Sequence, residues 1–322
     1  GIAVFAMHFS KVLQMDAESV FSCPYCSSPL NRGSHDYACG ANHTFPIARS
    51  GYVNLAPAAK GGDTLTMLTA RRRFLQAGHY RCLQEVIART ASRHLRTQAH
   101  GAPPVVADVG CGEGSHLAAV GNALESDIPA VRLVGLDLSK DAARMTAHRD
   151  GAWEVAVADV RRGLPLRENV TDVLLNVFAP RNAAAFSRAL APGGIALVVI
   201  PSEEHLRELR EAVGLLRVEP MKLDRLVHQS AGRLALADVM PVDESRAFDV
   251  NAIEDVLAMT PNAWHLTEVQ RRRAATLTRL TVTLSFRLVV FRKAVRASLE
   301  NSLHWHAPMS RCSRRADRSR QP

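Results

Sequence analysis

The sequence predicts an α/β protein in which a parallel sheet with helices on both faces follows a small metal-binding module. Three observations support this: a cluster of metal-ligand residues near the start, strands alternating with helices after residue 104, and a glycine-rich loop behind the first of these strands. They divide the chain into a metal module at 21–58, a linker with helices at 59–103 and a large α/β domain at 104–291.

The metal module carries Cys23, Cys26, Cys39 and His43, in the pattern C-P-Y-C, twelve residues, C-G-A-N-H. Two tight ligand pairs separated by a short loop are typical of a tetrahedral zinc site. Three thiolates and one imidazole fill all four positions and leave none for water. We therefore expect one structural Zn²⁺ here.

The rest of the chain predicts elements by its apolar spacing. Residues 59–63 are predicted to be a flexible link, and 64–98 have helical periodicity that G-H-Y at 78–80 breaks into two helices. The predicted strands of the large domain are 105–109, 132–137, 154–159, 171–178 and 195–201, with a final antiparallel strand or hairpin at 277–291.

The formal net charge of +9 is concentrated near the end of the chain. Eight Lys/Arg and only two acidic residues lie between 292 and 322, a segment predicted to be a basic disordered tail. The leader, 1–20, is also predicted to be disordered. Because the body is only mildly basic, the high pI does not by itself indicate nucleic-acid binding, and the short arginine clusters are more often solvated helix faces.

Localisation is predicted from what the sequence lacks. No apolar run reaches the eighteen residues of a membrane span, and residues 1–15 have neither the basic start nor the cleavage site of a secretory signal. The six cysteines, three of them in the metal module, favour a reducing compartment. We expect a cytoplasmic protein with no membrane partner.

The glycine loop is D-V-G-C-G-E-G, in which Asp108 precedes Gly110, Gly112 and Gly114 between a strand and a helix. Glycines there let the backbone approach a ligand at a helix N-terminus. Dinucleotide-binding folds use a similar loop, but with G-x-G-x-x-G spacing, which is absent here. A carboxylate before G-x-G-x-G instead suits the cationic amino group of S-adenosylmethionine.

Two further carboxylates are predicted at the same rim of the sheet. Asp137 ends the second strand, where it could accept both ribose hydroxyls, and Asp159 ends the third, where it could meet the adenine edge. Either aspartate alone could equally be a helix N-cap or a turn residue. With the glycine loop, they predict a class I (Rossmann-like) S-adenosylmethionine-dependent methyltransferase domain behind a small zinc-ribbon-like domain.

The order of motifs resembles that of the RlmA/TlrB family of 23S rRNA (guanine-N1)-methyltransferases, over about residues 21–292. The shared motifs are the Cys3His module, G-Y-V-N-L, A-R-R-R-F-L-Q-A-G-H-Y, D-V-G-C-G-E-G, F-A-P at 178–180, A-P-G-G at 191–194, P-x-x-x-H-L-x-E-L around His205 and M-T-P-N-A-W at 259–264. The resemblance implies a 23S rRNA hairpin as partner, with the zinc module helping to recognise it.

The resemblance also implies donor contacts that the residues alone do not predict. It assigns Tyr80 and His205 to the methyl donor, and His116 and Leu117 to the lining of the same site. From the residues alone, Tyr80 would be a packed aromatic and His205 a surface helix residue. The family enzyme of Gram-negative bacteria has different side chains at the positions of His116 and Leu117, so these two residues could contact the donor through their backbone only.

Methyl transfer to guanine N1 requires loss of the N1 proton, and the sequence identifies no catalytic base. N-V-F-A-P at 176–180, where the target base should enter, differs from the N/D-P-P-Y of adenine-N6 enzymes. Cys111 lies within the glycine loop and is expected to pack there.

Several alternatives stay open from the sequence. A small-molecule methyltransferase with a structural zinc module would not need that module for turnover, and a zinc-dependent RNA-binding protein would have lost donor binding. Which guanine is modified, whether the role is housekeeping or tylosin-type macrolide resistance, and whether the protein is a homodimer are not determined by the sequence.

Overall fold

The computed structural model describes residues 19–98, 101–125, 127–128, 130–215, 218–260 and 266–294. The predicted leader and tail lie almost wholly outside the described residues, as does most of M-T-P-N-A-W. The strands are β1 Leu30–Arg32, β2 Asp36–Cys39, β3 Thr44–Pro46, β4 Tyr52–Asn54, β5 Val105–Val109, β6 Arg132–Asp137, β7 Glu154–Val157, β8 Thr171–Val177, β9 Leu190–Pro201, β10 Leu234–Asp249 and β11 Arg279–Lys293.

The helices alternate with these strands after β4. They are α1 Leu65–Gln76, α2 Arg81–Arg96, α3 Ser115–Leu124, α4 Lys140–Ala147, α5 Ala183–Ala189, α6 Arg207–Val213, α7 Lys222–Ser230, α8 Val250–Ala258 and α9 Glu268–Ala275. Thr64 caps α1 by accepting the Met67 N–H, and Gly78, at φ +79°, separates α1 from α2 as the sequence predicts.

The large sheet has eight strands in the order β10-β11-β9-β8-β5-β6-β7-β4. The strands from β9 to β4 run parallel, and β11 joins antiparallel to β9 and to β10. The order reverses at β5, whose neighbours are β6 on one side and β8 on the other. In open α/β sheets the crevice outside such a switch point binds ligands, so the fold places the glycine loop after β5 at that crevice.

The metal module is built onto this sheet. Its first three strands form a separate antiparallel sheet, but β4 hydrogen-bonds to β7 as a parallel strand of the large sheet. Phe21, Tyr37 and Phe45 are buried in one apolar cluster with residues of β5, β6 and β9. The module and the large domain therefore share a core, which burial of these aromatic rings stabilises.

Helices α1 and α2 also belong to the core of the large domain. Phe74 and Ile87 are buried in one cluster with residues of β5, β8 and β11. Among the described residues, no helix has both the length and the apolar character needed to cross a membrane.

Candidate active site and metal centre

The four predicted metal ligands converge on one point. Their ligand atoms all lie within 4.8 Å of one another. Nδ1 of His43 lies 3.5 Å from Sγ of Cys23 and 3.4 Å from Sγ of Cys39, and the Cys26 and Cys39 sulfurs are 3.6 Å apart. Ligand bonds of a tetrahedral zinc site would place sulfur about 3.5 Å from nitrogen and about 3.8 Å from another sulfur. The cluster therefore fits a Zn²⁺ ion.

Tight turns bring the ligands into this arrangement. Ser27, at φ +61°, follows the first pair, and its N–H donates to the Cys23 carbonyl at 2.8 Å. Asn42, at φ +62°, forms the second turn by donating its N–H to the Cys39 carbonyl at 2.9 Å. Left-handed backbone at such positions is uncommon outside Gly and Asn, and here it reverses the chain between ligands.

A cavity of about 760 Å³ opens at the carboxyl ends of the parallel strands. Its walls come from the loops after β5, β6, β7, β8 and β9, together with the segment before α1 and the start of α7. A volume of this size is typical of small-molecule and cofactor sites. The sheet therefore brings most of the predicted donor residues to a single crevice, whereas Asp108, Gly114 and Leu117 do not line it.

The glycine loop passes close to its neighbours in a conformation that side chains rarely adopt. Gly110 has φ +83°, and a Cβ built on it would lie 2.3 Å from Cβ of Ala179. Gly112 has φ +57° and lines the cavity. Gly114, at φ +83°, begins α3 and does not line the cavity. The loop can therefore approach a ligand only because these positions lack a side chain.

Asp108 lies under this loop, 1% exposed, and neither of its carboxylate oxygens has a hydrogen-bond partner. Burial, followed by the nearby charges of Asp137 and Glu113, raises the pKa of Asp108 to about 8. Glu113 is neutralised by Arg149, which also donates to the Ser115 hydroxyl at 2.8 Å. A buried carboxyl without a partner is costly unless a ligand pairs with it, and the cationic amino group of a methyl donor has the matching chemistry.

Asp137 and Asp159 both line the cavity. Asp137 accepts the Gly112 N–H at 2.9 Å and the Ser139 N–H at 2.8 Å, and burial raises its pKa to about 6. The carboxylate of Asp159 pairs with Arg161 at 3.1 Å, which lowers its pKa. Asp137 thus joins the ends of β5 and β6, and both carboxylates keep oxygen lone pairs that a ligand could use.

Tyr80 and His205 meet in the cavity wall. The Tyr80 hydroxyl lies 3.3 Å from Nε2 of His205, and Nδ1 of His205 accepts the Ser285 N–H at 3.3 Å. Burial lowers the pKa of His205 to about 3, so the ring is neutral at pH 7. From the residues alone, His205 would be a surface helix residue. In the structure it is buried in the cavity wall.

The two remaining predicted residues differ in their placement. His116 lines the cavity with its Nδ1 buried and unpartnered, and burial lowers its pKa to about 4. Leu117 is wholly buried in the core beneath α3, and its side chain does not line the cavity. Cys111 packs 3.6 Å from the Thr146 hydroxyl, and burial raises its pKa, so it is a neutral thiol.

The structure adds cavity residues that the sequence did not identify: Asp63, Arg71, Arg181 and Lys222. Phe178, in the N-V-F-A-P segment where the sequence predicts entry of the target base, lines the cavity as well. The predicted flexible link is in fact held at the cavity, because Asp63 pairs with Arg71 at 2.6 Å and its carbonyl accepts the Ser139 hydroxyl at 2.7 Å. A Cβ on Gly62 would lie 2.8 Å from the Ser139 nitrogen, so glycine permits this contact.

Comparison with known proteins agrees with this architecture. A family model of the RlmA N-terminal zinc ribbon matches residues 21–61, and a methyltransferase-domain model matches residues 107–198. The 23S rRNA (guanine(748)-N(1))-methyltransferase of Streptomyces fradiae is 42% identical over 274 residues, which cover 84% of this chain and 95% of that protein.

Two further relatives carry provisional names as 23S rRNA (guanine-N(1)-)-methyltransferases. One, from Micromonospora griseorubida, is 37% identical over 84% of this chain and 96% of its own length. The other, YxjB of Bacillus subtilis, is 34% identical over 76% of this chain and 87% of its own length. With a class I methyltransferase fold behind a Cys3His zinc ribbon, this chain belongs to the RlmA/TlrB family and is a 23S rRNA (guanine-N1)-methyltransferase.

Proposed function

We propose that this enzyme methylates N1 of one guanine in a 23S rRNA hairpin, with S-adenosylmethionine as donor and Zn²⁺ in the Cys3His centre. The observation that carries the proposal is the unpartnered Asp108 carboxyl beneath a glycine loop at the switch point of the sheet. A dinucleotide, whose pyrophosphate is anionic, offers no cation there with which this carboxyl could pair on ionising. A sulfonium donor with a cationic amino group is attracted there.

The donor would occupy the part of the cavity over β5, β6 and β7. Asp108 would pair with the amino group of the donor, and the backbone of the glycine loop would pack against the donor. Asp137 would accept hydrogen bonds from the ribose hydroxyls, and Asp159 from the adenine edge. When bound, the donor supplies an electrophilic methyl group on a positively charged sulfur. The protein's contribution is to fix this group and the guanine in line for attack.

The Tyr80–His205 pair would complete the donor site. Because the Ser285 N–H can only donate, Nδ1 of His205 accepts, and the neutral ring carries its proton on Nε2. Nε2–H then donates to the Tyr80 oxygen, which leaves the Tyr80 hydroxyl proton free to donate into the cavity. Burial raises the pKa of Tyr80, so this hydroxyl stays a donor, suited to the carboxylate of the methionine moiety.

The guanine specificity of the relatives suggests the biological role. The Streptomyces fradiae relative is named for methylation at guanine 748, so we propose the same hairpin as target and a tylosin-type macrolide resistance role. The zinc module would help to recognise the hairpin. Cytoplasmic location and a homodimer also stay predictions, the latter open to sedimentation velocity.

Primer extension on 23S rRNA tests the proposal. Methylation of N1 blocks pairing, so rRNA from cells that express the wild-type chain should stop reverse transcriptase at a guanine that control rRNA reads through. Asp108→Asn should remove the stop, whereas Gly151→Ala, at a site with open space around it, should keep it. Tylosin sensitivity of the same strains tests the resistance role. Read-through with the wild-type chain would refute rRNA methylation.

A further inference from the structure

We propose that Phe178, Arg181 and Lys222 form the site for the target guanosine, with the base stacked on the Phe178 ring and its phosphate bound by the two cations. This inference rests on the proposed function and deepens it. It assigns an RNA-binding role to the half of the cavity that the methyl donor does not use.

The sheet order separates the two halves. The three donor carboxylates, Asp108, Asp137 and Asp159, lie at the ends of β5, β6 and β7, whereas Phe178 and Arg181 follow β8, on the other side of the switch point. The Tyr80–His205 pair lies beside Phe178, at the boundary between the halves. Ala179 lies between the halves, because it is the residue that a Cβ on Gly110 would meet. A base beside Phe178 would therefore adjoin the glycine loop, at the boundary with the donor half.

Phe178 is 44% exposed and lines the cavity in a strained backbone conformation, at φ +55°. A non-glycine aromatic residue rarely adopts this region, and such strain persists only where neighbours impose it. Here Asn176 imposes it, since its side-chain amide donates to the carbonyls of Val109 and Pro180, both at 3.0 Å. The fixed turn thus holds an aromatic ring out toward the cavity.

The ring is supported from behind. Its centroid lies 5.5 Å from that of Phe286 and 6.2 Å from that of Tyr80. A ring braced on one side and exposed on the other is a stacking platform for an unpaired base.

Charge is divided between the halves in the same way. Among the described residues, all four carboxylates that line the cavity, Asp63, Glu113, Asp137 and Asp159, belong to the donor half. The charged residues that line the other half are Arg181, Arg210 and Lys222. Lys60, Arg71 and Arg161 also line the donor half, where Arg71 pairs with Asp63 and Arg161 with Asp159. Within the described ranges of the chain, only the second half is lined by cations without a carboxylate, so it is the half that matches an anion.

Arg181 and Lys222 are the unsatisfied members of this group. Within the part of the chain that the structure describes, the side chain of neither forms a hydrogen bond or an ion pair, whereas the Arg210 side chain donates to the His205 carbonyl at 3.0 Å. The nearby Glu219 is already paired with Arg225. Helix α5, which follows Arg181, packs on α7, which begins at Lys222. Burial and the charge of Arg181 lower the pKa of Lys222, as expected for two cations that share one site without an anion.

RNA supplies both missing partners. A guanine turned out of its stack would stack on Phe178, while its phosphate would neutralise Arg181 and Lys222. The carboxylate of the methyl donor is the other anion that could reach these cations. Donor affinity therefore has to be measured separately from RNA affinity.

The test uses full-length protein and unmodified 23S rRNA transcript. Steady-state methylation and rRNA affinity are measured at several KCl concentrations, and donor affinity is measured by calorimetry. The base platform is tested with Phe178→Leu and its conservative counterpart Phe178→Tyr. The phosphate site is tested with Arg181→Gln and Lys222→Gln, singly and together. Arg144→Gln is the matched control, because Arg144 lies on α4 outside the cavity and pairs with Asp141. Melting temperature and zinc content verify that each variant is folded.

We expect Phe178→Leu to lower kcat/KM for rRNA by about 10- to 100-fold, and Phe178→Tyr to stay within about threefold of wild type. The double variant should raise KM for rRNA at least about 10-fold and lower the slope of log affinity against log salt by about 1 to 2. The donor affinity of every variant should match that of wild type. Arg144→Gln should also methylate rRNA as wild type does.

Each other result is decisive. If wild type methylates rRNA and the folded variants do so equally well, the site assignment is wrong and the proposed function stands. If Arg181→Gln or Lys222→Gln weakens donor binding instead, the cations hold the donor carboxylate. If wild type transfers no methyl group to 23S rRNA, the proposed function fails, and the site with it.

Discussion

The Tyr80 hydroxyl and Nε2 of His205 lie 3.3 Å apart although 125 residues separate them in the chain. The contact joins the start of α2 to the turn after β9, so it holds two walls of the cavity together. Phe286 of β11 packs on both rings, with centroids 5.1 Å from Tyr80 and 4.5 Å from His205. The antiparallel strand β11 thereby supports this wall of the cavity.

Tyr80→Phe should destabilise the protein by about 1–3 kcal/mol, because it leaves the buried His205 Nε2–H without an acceptor. It should also weaken donor binding, since the hydroxyl proton directed into the cavity is lost. Urea unfolding and calorimetry measure the two effects. Tyr25→Phe is the matched control, because the Tyr25 side chain is 63% exposed, and it should leave stability unchanged. Equal stability of the two variants would show that the Tyr80–His205 bond contributes nothing.

Donor affinity should rise about tenfold from pH 6 to 7 and about fivefold from pH 7 to 8. The pKa of Asp108 is raised to about 8, so its carboxyl is mostly protonated at pH 7 and must release its proton to pair with a cation. Calorimetry in two buffers of different ionisation enthalpy should detect one proton released. In Asp108→Asn, binding should be weaker and this pH dependence absent. A wild-type affinity that is flat over this range would contradict the pairing.

The same carboxyl should reduce the stability of the ligand-free protein at alkaline pH. Its folded pKa lies above the unfolded value of 3.8, so its stabilising contribution is fully present below 3.8 and is lost as pH rises toward about 8. Asp108→Asn should therefore raise the melting temperature of the ligand-free protein at pH 8.5, and the difference should vanish at pH 4. A lower melting temperature for the variant at pH 8.5 would mean that Asp108 has a stabilising partner.

Gly110→Ala should destabilise the protein by about 2–4 kcal/mol and abolish donor binding. The new Cβ would lie 2.3 Å from Cβ of Ala179, in a backbone conformation that costs an alanine about 1–3 kcal/mol. Gly112→Ala should be milder, because its Cβ would meet only the flexible end of Arg71, at 3.0 Å. Gly151→Ala is the control. Thermal unfolding with and without donor measures the stability and donor binding of the three variants. Equal effects of Gly110→Ala and Gly151→Ala would refute the close approach of Gly110 to Ala179.

The predicted parallel strands are confirmed because each is buried on both faces and is therefore a continuous apolar run. The long strand β10 was not predicted. It is an edge strand, exposed along most of its length, and its stretch P-V-D-E-S-R has little strand character. Its conformation comes from pairing with β11, which local sequence does not reveal.

Some features of the predicted donor residues also follow from local sequence, whereas others depend on tertiary contacts. Local sequence placed Asp108 and Asp137 at the rim, because their positions follow from where strands end. The lack of a partner for Asp108 is a property of the folded core, and so is the pairing of the neighbouring Glu113 with Arg149, 36 residues away. The Arg71–Arg73 cluster is likewise bound in tertiary contacts, since Arg71 pairs with Asp63 and Arg73 with Asp255. The donor-binding roles themselves stay predictions.

Loss of zinc should affect both RNA methylation and donor binding. Cys26→Ser removes one ligand, and without the ion we expect β1 to β3 to lose their order, since closed tetrahedral sites contribute folding free energy. The disturbance should reach the cavity, because the Leu55 N–H donates to the Val157 carbonyl in the large sheet and residues 60–63 line the cavity.

We therefore expect Cys26→Ser to lower the melting temperature by about 4 to 5 °C, the shift that a loss of about 3 kcal/mol produces in a protein of this size. Donor affinity should fall along with rRNA methylation. Cys82→Ser, at a cysteine of α2 outside the metal cluster, is the matched control and should retain zinc and both activities. Zinc content, calorimetry and methylation assays on the two variants measure this. If zinc-free protein binds the donor as tightly as wild type, β4 and the segment after it do not couple the two sites.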